Sequence, residues 1–417
     1  MHSKYILFFL PVLLVILTTS CTKKLSEEEI EKKAGDLHQR ILTIDTHCDT
    51  PRYLMDETWD VGVRHNPKER GSSKLDLPRM KEGGLDAAFF AVFVGQRPRT
   101  PENYVWARQK ADDLVKAIKR MCDQYSGVIS LATRADQAAG NQARGLLSAY
   151  MGMENGFPIG KDITNVQRYY NMGIRYITLC HTKNNDICDS STDRKGPEHN
   201  GLSEFGRQVV GEMNRLGMMV DISHVSDKSF YDVLQVSKAP VIASHSCARA
   251  LCDNPRNLSD DMLKALAAKG GVMQMCLLSD YVKKPEPNPA REAALKALRE
   301  KYGPWDQVKD EQIKKEYRNE YYDIIEKHPV EKATVQDVVD HIDHVVELVG
   351  IDYIGIGTDF DGGGGVIGCD DVSELPNITI ELMKRGYSEQ DIEKIWSGNI
   401  LRVFRQVEQI AQALNKK

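Results

Sequence analysis

The chain has 417 residues, 41% hydrophobic, 28% charged and 7% aromatic, with 31 Gly and 16 Pro. This is the make-up of an ordinary folded protein and excludes collagen-like and disordered classes; the length suits two or three domains, or one large α/β barrel. With 55 Lys and Arg against 60 Asp and Glu, a formal charge of −5 and no long basic run, no nucleic-acid partner is expected.

The N-terminal segment reads as a separate object. Lys4 precedes an apolar stretch from Tyr5 to Leu17 that is too short to span a bilayer as a mature helix but suits the core of an export signal. The stretch ends Leu17-Thr18-Thr19-Ser20-Cys21, which resembles a bacterial lipoprotein signal: a small residue before the cysteine permits cleavage, and the Cys21 thiol then takes lipid. Leu17 stands one place further from Cys21 than the usual pattern has it, and the alternative is an ordinary cleaved signal with an incidental cysteine. Residues 1–20 are thus predicted to be a signal peptide, and the mature chain is expected in the bacterial cell envelope, held to a membrane by an N-terminal lipid. The remaining cysteines form no CxxC pair and several fall in predicted strands, so no thiolate zinc module is expected and no disulfide is assigned.

Residues 25–40 carry acidic and basic side chains at helical spacing and predict an exposed lead-in helix. Beyond it, eight short apolar runs (41–46, 87–94, 146–153, 174–179, 218–222, 240–243, 271–275 and 353–357) alternate with helical patterns. Amphipathic stretches at 203–216, 226–236 and 259–268 each open on a serine able to cap a helix, and 335–349 is similarly patterned. Near-continuous apolar strands alternating with helices predict a parallel sheet covered by helices, and a count of eight predicts a (β/α)8 TIM barrel; a doubly wound open sheet is the alternative. Residues 21–417 are read as this single barrel domain. Two stretches exceed a minimal barrel: 95–144, largely helical, and the charged, Tyr-rich 283–331, where Pro285, Pro287 and Pro289 introduce a helical insertion after the seventh strand.

In such a barrel the C-terminal strand ends face the active site. His47 and Asp49 follow the first run two residues apart, on one side of an extended segment, where both can reach one metal ion. Glu154 arrives at the end of the third run, His224 after the fifth and His245 after the sixth. Each alone has a plainer reading, as a strand-end polar residue, a helix cap or a buried structural histidine. Together, five metal-competent side chains at strand ends point to a metal, and His, Asp and Glu without thiolate suit catalytic zinc. His181, Arg256 and Asp359 follow the fourth, sixth and eighth runs and point to the same rim. The glycine run 362–365 lacks the Lys and Ser/Thr of a phosphate-binding P-loop and is read as a loop.

The ordered motifs IDTHCDTP, MGMENG, TLCHTKNND, VDISHVS, ASHSCARALCDNPRN and DHIDHVVELVGIDYIGIGTDFDGG resemble the membrane (renal) dipeptidase family, zinc peptidases of the metal-dependent amidohydrolase superfamily. The resemblance implies two Zn²⁺ ions, with His47 and Asp49 on the first, Glu154 bridging, and His224 with His245 on the second. It also implies that zinc supplies an activated bridging water and polarises the peptide carbonyl of a free dipeptide. His181 would stabilise the developing oxyanion, Asp359 would bind the substrate ammonium and carry a proton to the leaving amine, and Arg256 would pair with the free carboxylate. Holding both termini limits the substrate to two residues. Animal members use a C-terminal glycolipid where this chain would use Cys21, and they imply a homodimer as one assembly. Their disulfides do not transfer, because Cys252 matches one position while Cys276 stands several residues from its partner's place. A barrel hydrolase acting on an N-acyl amino acid would use the same metals. A lipoprotein that binds peptides without cleaving them would be expected to lack a ligand or His181, and none is missing.

Overall fold

The computed structural model describes residues 26–303, 308 and 310–416; Cys21 and the signal read at 1–20 lie outside the described residues. Nine strands are present: β1 (Ile44–Cys48), β2 (Ala87–Phe93), β3 (Ile129–Leu131), β4 (Leu147–Glu154), β5 (Ile174–Thr178), β6 (Met219–Asp221), β7 (Ile242–Ser246), β8 (Val272–Met275) and β9 (Ile354–Ile356). They pair in the order β1-β2-β4-β5-β6-β7-β8-β9, and every pairing is parallel. β3 lies off this path, paired only with the first residues of β4.

The sheet curls round until its two ends meet. Beyond β9, the Asp359 amide donates to His47 O at 3.0 Å and the Asp49 amide donates to Phe360 O at 2.7 Å, stitching the last strand's continuation to the first strand. The result is the expected barrel of eight parallel strands rather than an open sheet. β3 has no counterpart among the predicted runs because three residues give no readable alternation.

Every residue of β1, β4, β5 and β7 is buried, as parallel strands require when helices cover one face and the barrel interior the other. Ile44, Phe89, Tyr150, Tyr176, Met219, Ile242 and Val272 belong to an inner cluster that Phe404 and Val407 of the helix Asn399–Leu414 complete. Asn399 Nδ2 donates to Ile354 O at 2.8 Å, at the start of β9, so this helix closes the N-terminal mouth of the barrel. The C-terminal mouth is left for a site.

The covering helices begin where the serines predict. Ser203, Ser226 and Ser259 accept from the amides of Gly206, Ser229 and Met262 at the starts of Glu204–Leu216, Asp227–Val236 and Asp260–Ala268. The stretch 95–144 holds the helix Pro101–Gln124, and the helices Pro289–Tyr302 and Glu311–Lys327 occupy the insertion after β8. The lead-in helix is present as Glu27–His38, with its charged face exposed as expected and one edge packed. Ala34, Leu37 and His38 are buried, and the helix packs on Pro376–Lys384, because its apolar stripe is narrow and a fully buried histidine extends it. Among the described residues, no helix is long and apolar enough to cross a membrane.

Candidate metal centre

The donors gather at the C-terminal mouth. His47 lies in β1 and Asp49 just beyond it, Glu154 ends β4, His245 lies in β7, and His224 sits three residues past β6. The Nε2 of His47 lies 3.4 Å from Asp49 Oδ2 and 3.5 Å from Glu154 Oε2. The other Glu154 oxygen, Oε1, faces His224 Nε2 at 3.0 Å, His181 Nε2 at 3.5 Å and His245 Nε2 at 3.7 Å. One carboxylate therefore divides its two oxygens between two donor groups. His224 and His245 bring their Nε2 atoms within 2.9 Å of each other, so both rings turn the same nitrogen toward one point.

The tautomers follow from the partners behind the rings. Tyr176 OH donates to Thr46 O at 3.1 Å, so at 2.8 Å it accepts from Nδ1–H of His47 and turns that ring's Nε2 toward the cavity. Ser244 Oγ donates to Asp221 Oδ2 at 2.7 Å and accepts from Nδ1 of His245 at 2.9 Å, with the same outcome. His47 Nε2 is buried with no hydrogen-bond partner.

The electrostatics describe a place for cations. Burial lowers His224 and His245 far below the usual imidazole range, with Arg256 adding to it, so both rings stay neutral and each keeps one nitrogen able to act as a ligand. Burial works to raise Glu154, yet His47, His181 and a hydrogen bond from His224 outweigh it and hold the carboxyl well below its usual range. For His47, burial opposes a charge, but Tyr176, Glu154 and Asp49 prevail, and a proton on Nε2 stands where a cation would sit between the two carboxylates. Burial pushes Asp359 well above the carboxylate range, with Cys276, Asp49 and Glu154 adding to it and His47 opposing. These are hard and borderline donors, with Tyr176 and Ser244 already aiming the His47 and His245 rings, and they fit zinc.

The three remaining predicted residues line the same cavity, of about 700 Å³. Asp359 Oδ1 is 3.9 Å from His47 Nε2. Arg256 is 4% exposed, donates once to His245 O at 3.2 Å, leaves its Nε without a partner and lies over the Tyr281 ring at 5.3 Å. Among the described non-glycine residues, five adopt positive φ, and four of them, Asn155, His224, Asp359 and Asp361, stand just past barrel strands, Asn200 being the other, so backbone strain concentrates at this mouth.

A model of the membrane dipeptidase family (peptidase family M19) matches residues 31–417. The chain belongs to the membrane dipeptidase family. It is 34% identical to the dipeptidase tcpJ of Claviceps purpurea over 85% of this chain and 74% of that protein. It is 31% identical to dipeptidase 3 of Mus musculus over 93% of this chain and 69% of the relative. The crystal structure of the probable dipeptidase PvdM from Pseudomonas aeruginosa superposes with a TM-score of 0.77 at 32% identity, covering 92% of this chain and 99% of that one. This protein is a metal-dependent dipeptidase.

Several residues of the dipeptidase site escaped the sequence reading. Tyr176 orients His47 from the opposite wall of the barrel. Asp221 accepts the Ser223 and Ser244 amides at 3.0 and 2.8 Å, fixing the turn that carries His224. Asp45, pushed up to about 6 by burial, accepts the amides of His47 and Thr358 and ties β1 to the β9 end. A signal existed for both carboxylates, since each stands two or three residues before a donor histidine. The glycine run is more than a loop: a Cβ on Gly362 would lie 2.2 Å from both Asp359 Oδ1 and Asp49 Oδ2, so only glycine lets the chain close over the two carboxylates.

Proposed function

We propose that this dipeptidase is a binuclear zinc enzyme hydrolysing free dipeptides, with His47 and Asp49 on one ion, His224 and His245 on the other and Glu154 bridging. The division of the Glu154 oxygens between the two donor groups carries the reading. Bound zinc would supply Lewis acidity for the peptide carbonyl and an activated water.

The chain's own residues supply the rest. Arg256, a buried guanidinium with an unfilled Nε donor, pairs with the substrate's free carboxylate, and Tyr281 beneath it fixes the plane of the fork. His181 is 21% exposed at its side chain, and its ring stands edge-on to Phe93 with centroids 4.8 Å apart. Burial lowers its pKa, with Glu154 opposing, so it meets the developing oxyanion as a neutral hydrogen-bond donor. Asp359 binds the substrate ammonium and passes a proton from its carboxyl to the leaving amine. The Tyr176 and Asp221 networks keep the imidazoles aimed, and the plugged barrel floor excludes water from below.

The same reading assigns residues 21–417 to one barrel domain, lipid-anchored through Cys21 in the cell envelope, with a homodimer as its assembly. The sequence at 17–21 and the family's membrane attachment support the anchor. Hydrolysis of free L-L and L-D dipeptides, abolished by a chelator and restored by zinc, tests the activity. Equal rates on N-acetylated, C-amidated dipeptides would overturn the assignment of Arg256 and Asp359 to the termini.

A further inference from the structure

We propose that the outer wall of this cavity, built by Lys110, Lys314 and Arg318, selects dipeptides that carry a side-chain carboxylate. The proposal rests on the dipeptidase site and names its preferred substrate class.

The cavity has an inner part, where Arg256 lies among the buried carboxylates, and an outer part that carries further cations. Asp49, Glu154 and Asp359 are buried among the donor histidines, whereas Lys110 and Lys314 are half-buried and Arg318 is exposed. Two separate insertions meet there. Lys110 comes from the helix Pro101–Gln124 that follows β2, and Lys314 and Arg318, one helical turn apart, come from Glu311–Lys327. Pro101–Gln124, at 24 residues, is a long helix for its crossover and Glu311–Lys327 is inserted before the last strand, so this wall lies outside the donor set of the metal centre.

Lys110 makes no hydrogen bond or ion pair with any described residue, although many lysines of the chain do, such as Lys301 with Glu320 and Lys283 with Glu331. Asp113, the acid whose charge acts on Lys110, instead accepts from Gln109 at 2.8 Å and pairs with Lys116 at 3.5 Å. Burial lowers the Lys110 pKa and the Lys314 charge acts the same way, with Asp113 opposing. The Lys314 charge across the cleft acts against that of Lys110, and an anion beside Lys110 offsets it. Both termini of a dipeptide are already engaged deeper in the site, so the anion that reaches this wall is a side-chain carboxylate. Trp106 and Leu114 flank Lys110 along its helix and line the same wall, shielding the pair from water.

The test compares isosteric substrates on the zinc-loaded enzyme: Ala-Glu with Ala-Gln and Glu-Ala with Gln-Ala, at low and high salt. The expected result is a kcat/KM ratio of about five- to tenfold for the acid over the amide at one of the two positions, carried by KM and falling as salt is raised. Lys110→Met should bring that ratio near one while leaving kcat for Ala-Ala unchanged, which also shows that the variant folds. Lys110→Glu with Lys314→Glu should invert the preference toward Ala-Lys or Lys-Ala. Equal kcat/KM for acid and amide at both positions would overturn the proposal while leaving the dipeptidase reading intact. An equal loss on acidic and neutral substrates in Lys110→Met would overturn it too. Failure to cleave any of these dipeptides would strike the underlying reading instead.

Discussion

His38 supplies a stability test remote from the metal centre. Its ring is fully buried: Nε2–H donates to Gly83 O at 2.9 Å, so Nδ1 is an acceptor and takes the Thr379 hydroxyl at 2.7 Å. Trp396 Nε1–H in turn donates to Thr379 Oγ1 at 2.8 Å, and the Trp396 ring meets His38 edge-on. The network is complete only with a neutral imidazole, since a proton on Nδ1 would face the hydroxyl with another donor. Burial lowers this histidine from 6.5 to about 4, with the bond to Gly83 opposing. The unfolded chain therefore binds a proton that the native chain refuses between those values. The contribution is fully present above pH 6.5 and is lost as pH falls toward 4, a difference of about 3 kcal/mol at the lower end. Acid also protonates metal ligands, so the measurement is a difference: denaturant unfolding of zinc-loaded wild type and His38→Gln at a series of pH values. Gly83, Thr379 and Trp396 lie outside the metal centre, and the ligand contributions cancel. The wild type should lose roughly 3 kcal/mol more than His38→Gln across this window, the slopes differing by about one proton. Parallel curves for the two proteins would refute the reasoning.

Three further outcomes follow from the site. Arg256→Ala should lose about 2–5 kcal/mol in kcat/KM on free dipeptides, because it removes one side of a buried charge pair, and little on C-terminal amides; equal losses on both would remove Arg256 from carboxylate recognition. Tyr176→Phe should weaken zinc binding about 10- to 100-fold without unfolding the barrel, since His47 loses the acceptor that fixes its tautomer, and competition with a chromophoric chelator reads it directly. Cys21→Ala should remain uncleaved by the lipoprotein route or lose its acyl groups, read from the N-terminal mass; a wild-type mature chain whose N-terminal mass shows no lipid would end the anchor assignment.

The barrel was legible because its strands are apolar and buried on both faces, so each stood out without alternation. Their limits were less so. The first and sixth predicted runs stop at Thr46 and Ala243, whereas β1 continues to Cys48 and β7 to Ser246. Polar His47 and His245 read as strand ends, but their side chains face an interior prepared for cations, so the strand need not stop. The donors were legible by type and position, while what aims them was not. Tyr176 looks like one more large side chain in an apolar run, and nothing within β5 tells that its hydroxyl reaches β1. Gly362 needed coordinates for the same reason, because its role is set by two carboxylates more than 300 residues apart in sequence, Asp49 and Asp359. The cationic wall went unread since Lys110 and Lys314 belong to insertions whose packing no local pattern fixes.

The central claim is that one carboxylate, Glu154, holds two ions together. Metal content of the active wild type, measured beside Glu154→Gln by elemental analysis with activity in the same samples, tests it most directly. The account predicts two zinc ions per chain at full activity, and loss of both ions together with activity in Glu154→Gln. One zinc per fully active wild-type chain, or a Glu154→Gln variant retaining two ions, would contradict it.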